Sequence, residues 1–159
     1  MVIIDKIKSI LNDIDSIKSI IYDSGFSSNV RIDRSVDPIA ILYLLTDWYL
    51  NISTGLQKEQ ADIEVFFCKR AKLDQKGEEK DIIVNECAEI AKEFIARVLE
   101  DKSIEVLDDS INMRSSYGRF DSFAVGVSVK IRLAEKQGTC IEVPEPTPEP
   151  NEDNTQNEG

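Results

Sequence analysis

From Phe123 to Leu133 every odd position is apolar (Phe123, Val125, Val127, Val129, Ile131, Leu133), and the even positions hold Ser122, Ala124, Gly126, Ser128, Lys130 and Arg132. Six consecutive matches to a period of two can be buried together only by a long strand with one face on a core. Eleven residues in that form span roughly 36 Å, so the strand needs a partner of similar length and a layer of helices beneath it. The partner lies upstream. Ile104 and Val106 share one phase, Leu107 changes it, and Ile111 and Met113 continue. The change of phase predicts a bulge or break, and Tyr117-Gly118-Arg119 is the expected turn. A hairpin of this length is expected to outreach its own core and to need a neighbouring subunit. Gly126, inside the strand, is read as permitting close packing rather than ligand approach.

A second hairpin is expected further upstream. Ala61, Ile63, Val65 and Phe67 alternate with Asp62, Glu64, Phe66 and Cys68, which describes a strand whose second face is polar at one end and apolar at the other. Ile39 to Leu50 is less decided, because Asp37-Pro38 would also suit a helix start. Ile39, Ile41, Tyr43, Trp48 and Tyr49 favour a strand, and Asn51-Ile52-Ser53-Thr54-Gly55 reads as a turn or loop, so 39–50 is paired with 57–69. Trp48 and Tyr49, beside Tyr43, suit either a protein interface or the core.

Two segments carry helical spacing. Ile83, Cys87, Ile90, Phe94 and Val98 recur every three or four residues, joined by Ala91 and Ile95, with charge on the remaining circumference. They predict an amphipathic helix of about 20 residues. At the N-terminus, Ile3, Ile7, Ile10, Ile14, Ile17 and Ile21 form a heptad seam widened by Ile4, Leu11 and Ile20. The breadth of this stripe favours a helix covering its own core; a coiled-coil contact is the competing reading. Gly25 is the expected stop, and Val30 and Ile32 predict a short strand after it.

Charge divides the chain in two. Of 30 acids against 19 bases, six acids and no base lie between Ile141 and Gly159, so the net −11 reduces to −5 for residues 1–140. Pro144, Pro146, Pro148 and Pro150 alternate with Glu and Thr in this tail, which is expected to be an extended, disordered appendage to a single domain over 1–140. The absence of a basic face argues against general nucleic-acid binding, and the absence of His removes His-based catalysis and His metal ligation. Cys68, Cys87 and Cys140 form no C-x-x-C pair and are read as reduced thiols in a reducing cytosol. Charges interrupt the N-terminal apolar residues, and no apolar run reaches the roughly 18 residues of a membrane span, so neither a signal peptide nor a membrane role is expected. Asp13 and Asp15 point to different sides of the first helix. Asp108, Asp109 and Asp121 are a weak candidate for a hard-cation site, since turns are rich in Asp for conformational reasons. No phosphate loop, dinucleotide fingerprint or nucleophile elbow is present. No cofactor, metal or catalytic residue is assigned, and the chain is read as a non-enzyme.

The expected fold is α+β: a mostly antiparallel sheet of two long hairpins plus a short strand, packed against two α-helices. Its element order over residues 1–140 resembles the tail-terminator or tail-completion fold of tailed bacteriophages, and the related neck proteins that form rings between head and tail. Two textures add to the resemblance: the strand ending in Phe66-Phe67-Cys68, and the closing run from Arg119-Phe120-Asp121 through Val129. The Pro-Glu tail departs from that compact pattern. The resemblance implies a non-catalytic virion structural protein, assembled in the host cytoplasm as a homo-oligomeric ring. The ring would dock on connector, neck or tail-tube proteins and pass DNA through its channel without reading its sequence. The residues assigned to the oligomer interface are Ile3, Ile7, Ile10, Ile14, Trp48, Tyr49, Tyr117 and Phe120. The alternative is an adaptor or regulatory module of a bacterial or mobile-element protein that dimerises through its N-terminal helix.

Overall fold

Two long hairpins carry the fold, as the two period-two runs require. The computed structural model describes residues 2–22, 28–45, 49–53, 56–72, 74–119 and 123–140. Along the chain these form α1 (Val2–Asn12), β1 (Ser19–Tyr22), α2 (Ser28–Asp33), β2 (Ile39–Leu44), β3 (Tyr49–Ser53), β4 (Leu56–Arg70), α3 (Gly77–Glu100), β5 (Ile104–Val106), β6 (Asn112–Arg119), β7 (Ala124–Glu135) and β8 (Thr139–Cys140). The Pro-Glu tail, Gly25, Trp48 and Phe120 lie outside the described residues.

The strands make one sheet, ordered β1-β2-β4-β7-β5, with β3 and β8 extending it along β4 and β6 along β7. The central pair is β4 with β7, antiparallel from Gln60 opposite Ala134 to Arg70 opposite Ala124. β2 and β3 lie along one side of β4, so the first hairpin runs from Ile39 to Arg70 and includes Ile52 and Ser53, which the sequence had suggested were loop. The expected phase change in the second hairpin is the gap between β5 and β6. Tyr117-Gly118-Arg119, the expected turn, belongs instead to β6, where the register slips between Ser116 and Arg119. Phe123 precedes β7 in a left-handed conformation with φ 52° and is exposed rather than part of the buried face.

Odd residues of β4 and β7 face α1 and α3. Ala61, Ile63, Val65, Phe67, Val125, Val127, Val129, Ile131 and Leu133 join Val84, Cys87, Ile90, Ala91, Phe94 and Val98 of α3 in the main core. From Cys87 to Val98 the α3 stripe buries as its spacing predicts, with the ring of Phe94 tilted on Phe67 at a centroid distance of 5.5 Å, while Ile83 and Ile95 are only partly buried and Val84 is buried in place of Ile83. Before this helix Lys76 N donates to Glu79 Oε2 (3.3 Å), half of a capping box. At its end, Asp101 Oδ1 accepts from Ser103 N and Oγ (2.8 and 2.6 Å), and these bonds hold the Asp101 carboxyl below its usual range.

The N-terminal third departs from expectation. The seam from Ile3 to Ile21 is not one helix: α1 ends at Asn12, Ile14 closes into the core through a turn, and Ile21 lies in β1. Asn12, Asp13, Asp15 and Ser16 are poor helix formers, and acids at a helix C-terminus oppose its dipole. β1 then runs parallel to β2, Ser19 opposite Ile39 through Tyr22 opposite Leu42. The expected strand at Val30–Ile32 is instead α2, a third helix, which buries Ile32 on the other sheet face with Ile21, Ile39, Ile41, Tyr43, Phe66, Cys68 and Ala124. Arg70 ties this corner together: its N and Nε meet Asp37, and Nη1 donates to Asp33 O (3.2 Å). Among the described residues no helix is long and apolar enough to cross a membrane.

Candidate assembly surfaces

Four of the residues assigned to an interface are interior. Ile3, Ile7, Ile10 and Ile14 are between 0% and 9% exposed, packed into the chain's own main core. The cause is the sheet beneath them, which receives the full width of the apolar stripe and leaves no seam for a second helix. Tyr49 opens β3, opposite Gln60. Tyr117 is exposed, and its hydroxyl donates to Asp81 Oδ1 on α3 (2.7 Å), a bond that raises the pKa of the phenol. Among the described residues, therefore, the structure does not gather those assigned into one surface.

A different apolar surface lies at the tip of the first hairpin. β4 has 15 residues, roughly 46 Å of strand. The helical layer stops near Glu59, whose Oε2 accepts from Ile3 N at the start of α1 (3.1 Å). Where β7 ends, Glu135 substitutes its side chain for a strand: Oε2 accepts from Glu59 N (3.0 Å), and Oε1 meets Lys6 Nζ at 4.0 Å. Beyond this clamp the sheet continues as β3, β4 and β8, with Leu50 42%, Ile52 63% and Leu56 37% exposed. The pairing of Leu50 with Glu59 puts it and Ile52 on the helix side, toward the start of α1, where Val2 is also exposed. Leu50 and Ile52 alternate two apart, a signal too short to separate from a loop.

The sheet face opposite α1 and α3 is polar away from α2. Register aligns Tyr43, Glu64, Lys130 and Asn112 across four strands. Two hollows, of about 280 and 300 Å³, meet at Lys130. In the first, Arg132 holds Asp108 through its N (2.8 Å) and Nη2 (3.1 Å), with Asp62 4.0 Å from Nε. The second is lined by Glu64, Arg114, Ser115, Ser116, Ser128 and Lys130. Both Asp108 oxygens therefore serve Arg132, Asp109 is exposed, and Asp121 lies outside the described residues. Among the described residues no group of three His, Cys, Asp or Glu side chains is placed to hold a metal ion.

Cys68 and Cys87 are buried thiols, one on each sheet face. Burial pushes the Cys87 thiol up to about 12. Because the neutral thiol is favoured in the fold, its contribution to stability is full below the ordinary thiol range and disappears as pH rises through about 12. Iodoacetamide at pH 8, followed by peptide mapping, should leave both thiols unmodified in native protein and alkylate both in denaturant. Rapid native labelling of Cys87 would contradict this packing.

No family model matches the chain, and no curated protein matches it by sequence.

Proposed function

We propose that the protein is a virion structural protein that assembles as a homo-oligomeric ring in the neck or at the tail-tube end of a tailed bacteriophage. Its role is joining and completion rather than catalysis, with connector, neck or tail-tube proteins as neighbours and DNA passing through the channel unread. The observation that supports this reading is the hairpin tip, which extends past the helical layer and presents Leu50, Ile52 and Leu56. Exposed apolar side chains on a projecting element mark an interaction surface, and a projection from one subunit onto a different surface of the next is a head-to-tail contact, which closes into rings. The adaptor alternative needs an apolar seam along α1, and that seam is buried.

Negative-stain images of the purified full chain should show closed rings. Light scattering that reports a monomer at high micromolar concentration would overturn the reading. Ile52→Glu should weaken association about tenfold or more while leaving thermal stability within about 0.5 kcal/mol, because the residue is largely exposed in the single chain. Unchanged association in sedimentation velocity would remove the hairpin tip from the interface.

A further inference from the structure

The free edge of β1 gathers positive charge on a body that is acidic overall. Among the described strands β1 pairs only with β2. Beside it a groove of about 460 Å³ is lined by Ile20, Ile21, Tyr22, Arg31, Arg34 and Ser35. Arg31 Nη1 donates to Tyr22 O (2.9 Å), which fixes the guanidinium at the end of the strand. Lys8 Nζ lies 4.2 Å from the centre of the Tyr22 ring, with Asp5 3.8 Å from the same ammonium. Lys18 directly precedes the strand, its Nζ donating to Asp15 O (2.6 Å). The groove thus combines an exposed aromatic ring and isoleucine side chains with Arg and Lys donors.

Such a groove suits an extended acidic segment containing proline. Proline rings in a polyproline-like segment pack on aromatic walls, and carboxylates pair with guanidinium groups. The chain carries this chemistry itself, in Glu142, Pro144, Glu145, Pro146, Pro148, Glu149 and Pro150. We propose that the groove between β1 and α2 receives the Pro-Glu segment of a second copy of this chain, an inference that rests on the ring reading and specifies what links neighbouring subunits.

For the first half of the Pro-Glu segment, reach makes the contact intermolecular. Cys140 lies opposite Leu56, whereas Ile21 lies opposite Ile41 and Ile41 opposite Phe66. The stretch of β4 from Leu56 to Phe66 measures roughly 33 Å, and three strand spacings add about 14 Å sideways, a separation of about 36 Å. Pro144, Glu145 and Pro146 lie within six residues of Cys140, no more than about 22 Å of fully extended chain. They fall short of their own groove and meet no such limit on a neighbour's.

A fluorescein-labelled peptide of residues 141–159, titrated with the full chain and read by anisotropy, should bind saturably and more weakly as salt rises. Arg31→Glu with Arg34→Glu should weaken binding about tenfold or more. So should a peptide with Glu142, Glu145 and Glu149 changed to Gln, which alters no residue of the folded body. In sedimentation velocity, full chains carrying the groove reversal, or Glu142→Lys, Glu145→Lys and Glu149→Lys, should each fail to assemble alone and assemble when mixed. Peptide affinity indifferent to both sets of changes overturns the proposal, as do rings of wild-type form from each variant alone; the latter leave the ring reading intact. A wild-type monomer that still captures the peptide through Arg31 and Arg34 keeps the groove and removes the ring.

Discussion

Gly126→Ala should destabilise the protein by about 3 kcal/mol or more, lowering the melting temperature by roughly 6–12 °C. The residue sits in β7 between Cys68 of β4 and Ser116 of β6. A Cβ there would lie 1.9 Å from Phe67 O and 2.8 Å from Cys68 Cα. Both obstacles are backbone, so no rotamer change relieves the clash, and the central strand pair must separate. Gly118→Ala is the matched control, because a Cβ at Gly118 meets nothing within 4 Å, and its effect should stay within about 0.5 kcal/mol. Equal denaturation midpoints for the two variants would show that β4 and β7 do not approach this closely. The position was legible in part: glycine inside an otherwise regular strand pointed to close packing, while the atoms it accommodates belong to a strand almost 60 residues away.

Phe94→Ala should cost about 3–5 kcal/mol, and Phe94→Leu about 1–1.5 kcal/mol. Phe94 is fully buried at the centre of the α3 stripe and meets Phe67 at 5.5 Å. Truncation removes one side of the contact between α3 and the β4–β7 pair and leaves a cavity in the main core beside Phe67. Urea denaturation with a common slope measures the loss. A cost near 1 kcal/mol for Ala would mean that α3 shifts to close the cavity and is held less rigidly than its burial implies. The assembly measurements gain from this variant, since a loosened α3 leaves the residues of the β1 groove unchanged.

The interface residues show where local pattern stops being informative. Ile3, Ile7, Ile10 and Ile14 carry the same three-and-four spacing whether a helix packs on its own sheet or on another helix. The choice depends on what lies beneath, here a core shared with α3, β4 and β7 and assembled from distant segments. Leu50 and Ile52 are the converse case. Their exposure follows from where α1 begins and β7 ends, so the projecting surface exists only after the layers are stacked. The charge on the β1 edge was hidden for the same reason: Lys8, Lys18, Arg31 and Arg34 are scattered through an acidic sequence and meet only in the fold.

Long periodic runs determined their own outcome from sequence alone. The alternation over Val125–Leu133 and the helical spacing over Ile83–Val98 each repeat often enough that one structure alone buries most of their apolar positions, and the α+β class with its antiparallel hairpins follows from them. Tertiary structure decided the short pieces: the end of α1 at Asn12, the parallel pairing of β1, and α2 in place of a strand. Over four to six residues, local propensity amounts to a few tenths of a kcal/mol per residue. Burying Ile21 or Ile32 against the second face of the sheet is worth about 1.5–3 kcal/mol each, and that face forms only once β2, β4 and β7 have come together.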